Sequence, residues 1–97
     1  MELQFTGYDK WDLSVKKEVL YEFAWSLQSA VERACSEKER EEKFPFLNAL
    51  YERSIKDAGR LLVTDDPVEV LNIEGRLDSL QTMLPLLEDL KDEIHLH

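Results

Sequence analysis

Ninety-seven residues, 43% of them hydrophobic, with only three glycines and three prolines, suffice for one small helical domain and supply too few turn formers for a β-sandwich or barrel. A net charge of −9, from 21 acidic and 12 basic side chains, opposes binding to phosphate backbones and anionic lipid. The one cysteine, Cys35, excludes an internal disulfide and points to a reducing compartment.

Residues 1–12 read as an N-terminal arm. Leu3 and Phe5 alternate with polar neighbours up to Gly7, the pattern of a short extended stretch, and Tyr8 and Trp11 add aromatic surface that favours docking on the rest of the chain. Residues 13–97 then form a single helical domain. Its first helix, expected over about 14–40, can be capped by Asp12 or Ser14. Val19, Leu20, Phe23, Leu27, Ala30, Val31 and Ala34 share its apolar face, and a thiol at Cys35, next to Val31 and Ala34, is expected to be buried. Tyr21 and Trp25 fall on a different face, with Gln28 and Glu32. That face either meets another helix of the same chain or presents an aromatic contact to a partner. The mixed-charge run Ser36–Lys43 reads as a solvated extension or polar connection.

Phe44-Pro45 interrupts the helix, because proline lacks an N–H and disfavours helical geometry in the residue before it. A second helix is expected over about 45–63. Leu47, Leu50, Tyr51, Ile55, Ala58, Leu61 and Leu62 lie on one side of it, Glu52, Lys56 and Arg60 on the other. The short turn at Thr64-Asp65-Asp66 makes the next helix its antiparallel neighbour.

The third helix, over about 67–94, has the clearest signature. Asp66 can cap it, Pro67 suits its first position, and Glu69 completes an Asp-x-x-Glu box. Val70, Ile73, Leu77, Leu80, Leu84 and Leu87 recur at alternating gaps of three and four, the heptad rhythm of a seam for helix pairing. The seam serves either the core of one chain or the contact between copies. Gly75 lies off the seam. Pro85 is expected to kink or split the helix, and beyond it Leu86, Leu87, Leu90 and Ile94 spread the apolar surface around the axis.

Chemistry is poorly provided for. Histidines occur only at positions 95 and 97, there is no Glu-x-x-His pair, and Gly7, Gly59 and Gly75 are too dispersed to cradle a phosphate. No catalytic, cofactor or metal residues are assigned and no enzyme is expected. The most basic stretch, Arg53 to Arg60, is interrupted by Asp57 and makes no recognition helix, so direct nucleic-acid binding is not expected. With no basic-then-apolar opening and no run of about 18 apolar residues, a cytoplasmic protein without membrane contact is expected.

The stretch from Ala49-Leu50-Tyr51-Glu52-Arg53 to Leu61, followed by Asp66-Pro67-Val68-Glu69-Val70-Leu71-Asn72-Ile73-Glu74-Gly75-Arg76-Leu77-Asp78-Ser79-Leu80, resembles small helical accessory proteins of tailed bacteriophages over residues 47–87. In these a helix of alternating charge leads through an acidic Asp-Pro turn into a helix with a Gly-Arg-Ile/Leu-x-x-Leu core. The resemblance implies a viral origin, with the host cytoplasm or the virion as location, and supplies no functional residues.

The expectation is therefore an all-α protein: a small three-helix bundle or helical hairpin with a kinked third helix and an extended arm. Its function would be non-catalytic protein–protein interaction and oligomerisation, with itself as first partner and possible contact to another protein. Helix pairing would run through Val70, Ile73, Leu77, Leu80, Leu84 and Leu87, and partner contact through Tyr21, Trp25, Leu90 and Ile94. The alternative is an acidic inhibitor that mimics DNA and blocks a host nucleic-acid-binding enzyme, since residues 67–97 hold seven acids against two bases.

Overall fold

The computed structural model describes residues 12–95, which contain four helices and no strand: α1 (Leu13–Ala34), α2 (Glu37–Lys43), α3 (Pro45–Leu61) and α4 (Pro67–His95). The protein is all-α. The arm expected at 1–12 lies outside the described residues except for Asp12, which precedes α1 in extended geometry.

The single helix expected over 14–40 is two helices. Cys35 is extended (φ −155°, ψ 128°), and Ser36 starts α2 as its N-cap, its Oγ accepting from the Glu39 N–H at 3.2 Å. The local signal is Ser36-Glu37-Lys38-Glu39, a Ser-x-x-Glu start inside what looks like a uniformly charged run. The run is not merely solvated either. Arg40 is 5% exposed. Its Nη1 donates to the Cys35 carbonyl at 2.7 Å, its Nε donates to Asn48 Oδ1 at 3.3 Å, and its guanidinium lies 4.3 Å from the Tyr51 ring centroid. A cation can be buried here because its donors and its ring face are engaged at once. The corner between α1 and α2 is thereby tied to α3.

Pro45 takes the first position of α3, where its missing N–H is no loss. The helix ends at Leu61, two residues before the expected end, as Leu62 and Val63 turn through bonds to Gly59 and Arg60 carbonyls. Thr64 is buried and its Oγ1 accepts from the Asp66 N–H. Asp66 Oδ1 in turn accepts from Val68 N–H at 3.0 Å and caps α4. The reciprocal half of the expected box is replaced. Glu69 turns away to Arg60, with contacts of 3.1 and 2.8 Å, so it joins α4 to α3.

Pro85 lies inside α4 and the helix runs on through it to His95; of the two expected outcomes, a kink or a split, the split does not occur. Gly75 is not required for close approach, because a Cβ there meets nothing within 4 Å.

Helices α1, α3 and α4 pack on one another, and α2 packs on α3. The core they enclose consists of Leu20, Ala24, Leu27 and Val31 from α1, Leu47, Ala58 and Leu61 from α3, and Val70, Ile73, Leu77, Leu80 and Leu87 from α4, with Cys35 at the corner. Each fully buried leucine or isoleucine in this set contributes roughly 1.5–3 kcal/mol. The inward stripe of α1 is narrower than its apolar content. Ala24 and Gln28 are buried, while Val19, Phe23, Ala30 and Ala34 are only half covered.

The apolar side of α3 also divides. Leu47, Ala58 and Leu61 are buried, but Ile55 is 49% and Leu62 64% exposed. The opposite edge of the helix carries the buried carboxylate of Asp57, 1% exposed, toward α4. Asp57 Oδ2 accepts from Arg76 Nε and Oδ1 from Arg76 Nη2, both at 2.8 Å, and Oδ1 also accepts from Arg53 Nε at 3.2 Å. This bidentate pairing of α3 with α4 holds the Arg76 guanidinium above its usual pKa.

Candidate functional site

Among the described residues no group of three or more His, Cys, Asp or Glu side chains is arranged to hold a metal ion, and no helix is long and apolar enough to cross a membrane. Apolar side chains are exposed at several places, Val63, Val68 and Leu71 among them, and two of these surfaces combine exposed aromatic rings with an opening between helices.

The first is a trough between α1 and α3. At one end it is lined by Ser14, Lys17, Glu18, Tyr21, Leu61 and Leu62. It continues past Tyr21 and Leu62 to Trp25, Gln28, Glu32, Tyr51, Ile55, Ala58 and Gly59. The Tyr21 and Trp25 rings meet edge to face, centroids 6.4 Å apart at 67°, which fixes their relative orientation within one helical turn. Trp25 nevertheless remains 55% exposed. Tyr21, Trp25, Gln28 and Glu32 thus share one face of α1, and α3 forms only the opposite wall. The far end is polar. Tyr51 donates to Glu32 Oε2 at 2.6 Å, and that bond, with burial and the Glu32 charge, raises the phenol pKa. On the floor, Gln28 is 7% exposed and its Nε2 has no hydrogen-bond partner. A buried amide donor without an acceptor is uncommon and costs about 1–3 kcal/mol.

The second surface lies where α2, α3 and α4 meet. Lys43, Phe44, Pro45, Phe46, Leu47, Met83 and Leu87 line a depression there. Phe46 on its rim is 67% exposed, and Leu86, next to Leu87 on α4, is 51% exposed. The sequence signal for Phe46 was its place just after Pro45, where the first turn of α3 has little chain to cover it.

Of the seam residues only Leu87 reaches that depression. Val70, Ile73, Leu77, Leu80 and Leu87 are at most 2% exposed, packed within this one chain. Leu84 is half-buried and lines a shallow groove between α1 and α4 with Phe23, Gln81 and Pro85. Contact between copies would therefore need side chains other than the five already covered. Leu90 and Ile94 belong to the last part of α4, where the side chains lie outside the described residues.

No protein-family model matches this chain, and no curated protein or solved structure matches it.

Proposed function

We propose that the chain is a non-catalytic protein–protein interaction and oligomerisation module, a small structural or accessory protein of the kind tailed bacteriophages encode, acting in the host cytoplasm or the virion. The observation that carries this reading is the apolar corner formed by the depression lined by Phe44, Phe46, Met83 and Leu87, at which Phe46 stays 67% exposed. Single exposed apolar residues are ordinary, but a large aromatic ring at the rim of an apolar opening is the form that association surfaces take. Copies of the chain would pair through this corner, and Tyr21 and Trp25 would form the contact for a second protein.

The mass in solution by light scattering, at low and high salt, tests the pairing. A dimer or larger species at both salts, reduced to monomer by Phe46→Ser with Leu86→Ser, is the expected result. A monomer at both salts removes self-association. An assembly that dissolves at high salt would be held by charge, which exposed ionic contacts lose as screening shortens below about 8 Å, and would overturn pairing through the apolar corner.

A further inference from the structure

The trough between α1 and α3 is apolar along its walls and acidic toward both ends. We infer that its occupant is an amphipathic helix of a second protein, apolar on the side it buries and carrying lysine or arginine toward each end. The inference rests on the reading of Tyr21 and Trp25 as a partner contact and gives that partner its chemistry.

The helical form follows from length and from the backbone. From Ser14 to Glu32 the trough follows α1 for about 27 Å at 1.5 Å per residue, which matches a helix of about 18 residues. Its walls belong to two helices whose N–H and C=O groups are bonded within each helix. An extended chain laid between them would leave its own backbone unpaired against apolar side chains. A helix arrives with its backbone satisfied and fills a groove between two others with side chains alone. Trp25, Ile55 and Leu62, which are 55%, 49% and 64% exposed, are the surface it would cover.

Charge selects the partner. The charged side chains lining the trough are Lys17, Glu18 and Glu32. Lys17 is already neutralised by Asp65, with Nζ 3.3 Å from Oδ1. Glu18 and Glu32 enter no ion pair among the described residues, and the Tyr51 hydroxyl that Glu32 accepts is a neutral donor. The two carboxylates stand about 21 Å apart along α1, so cations about four helical turns apart on one side of the incoming helix would meet both. A second copy of the chain, at a net charge of −9, would bring further acid to the same place and is disfavoured there.

Tryptophan fluorescence of the full chain tests this. The only tryptophans are Trp11 and Trp25, so Trp11→Phe leaves Trp25 as the sole reporter. The probes are two synthetic peptides patterned as amphipathic helices, one of leucine and lysine, the other of leucine and glutamate. The lysine peptide should shift Trp25 emission to the blue and cut its quenching by acrylamide severalfold, and the glutamate peptide should do neither. Ile55→Lys should abolish the shift with the helical circular dichroism unchanged, and Glu18→Gln with Glu32→Gln should weaken binding severalfold. No shift with the lysine peptide, or equal shifts with both, overturns the basic helix as occupant and leaves the partner contact at Trp25 standing. A shift that survives Ile55→Lys would put the peptide outside the trough and overturns it too. Trp25 already shielded from acrylamide before any peptide is added would instead remove the contact reading itself, because the trough would then be filled without a second protein.

Discussion

At Asp57 a single side chain joins two helices. Its carboxylate is 1% exposed and both oxygens accept from Arg76, with Arg53 as a further donor. The two arginines do not share its burial: Arg76 is 33% and Arg53 54% exposed at the side chain. That asymmetry sets the expected size of a deletion. Breaking a fully buried pair costs about 3–5 kcal/mol because the survivor is stranded. Here Arg76 can swing its guanidinium to water, so Asp57→Ala should lower unfolding stability by about 2–3 kcal/mol, measured as a drop in the urea midpoint without a change in slope. A loss below about 0.5 kcal/mol would make Asp57 an ordinary surface position. The residue was hard to see in advance because it stands in a basic stretch and reads as an interruption of it. Its i,i+4 spacing from Arg53 and its place next to Ala58 on the edge of the apolar side were the available signals, and neither distinguishes a buried acid from an exposed one.

Between elements, the α3–α4 connection shows how a local capping pattern yields to a contact across a turn. Arg60, near the end of α3, binds both oxygens of Glu69 in the first turn of α4. That bidentate bond, then the Thr64 hydroxyl, lowers the Glu69 pKa from 4.5 to about 2. A carboxylate whose folded-state pKa is depressed contributes stability that is complete above its unfolded value and disappears as pH falls through the folded one. The contribution of Glu69 is therefore constant at neutral pH and is lost between pH 4.5 and about 2. Glu69→Gln, which keeps the shape and removes the charge, should be less stable than the parent by a constant amount at neutral pH, and the gap should close over that acid window. Thermal melts at stepped pH measure it, and a gap that persists unchanged at pH 2 would mean that the residue acts through something other than its charge. The pair is solvent-exposed, so salt should shrink the gap as well.

The elements themselves differed in how plainly the sequence announced them. The α4 seam was evident because heptad spacing is a direct geometric consequence of the helix, and its buried positions repeat it. The break at Cys35 was not evident, because Ser36–Lys43 has strong helix propensity throughout and only the Ser-x-x-Glu start and the burial of Arg40 reveal a change of direction. Propensity describes each residue's preference for helix and says nothing of where the axis must turn to bring Arg40 under Tyr51. The Tyr21–Trp25 face was visible by the same angular reasoning as the seam. Its exposure was not, since that depends on how far α3 leans over it.

Over the whole molecule, charge opposes the compact state. The chain carries 21 acidic and 12 basic side chains, and residues 67–97 hold seven acids against two bases. Among the described residues ion pairs join Lys17 to Asp65, Arg53 and Arg76 to Asp57, and Arg60 to Glu69, and pairing leaves the net charge of −9 unchanged. Added salt weakens both the pairs and the repulsion. An exposed pair contributes about 0–1 kcal/mol, and only the Asp57 pairing has a buried member to resist screening. Repulsion among the surplus acids acts over the whole surface and is largely screened once the Debye length falls to about 8–10 Å. The melting temperature should therefore rise from low to physiological ionic strength; a fall would mean that the pairs outweigh the net charge. Association through the Phe46 corner would also raise the melting temperature, since salt lets like-charged copies approach. Running each melt at two protein concentrations separates the effects. Relief of repulsion within one chain is independent of concentration, whereas stabilisation by assembly grows with it.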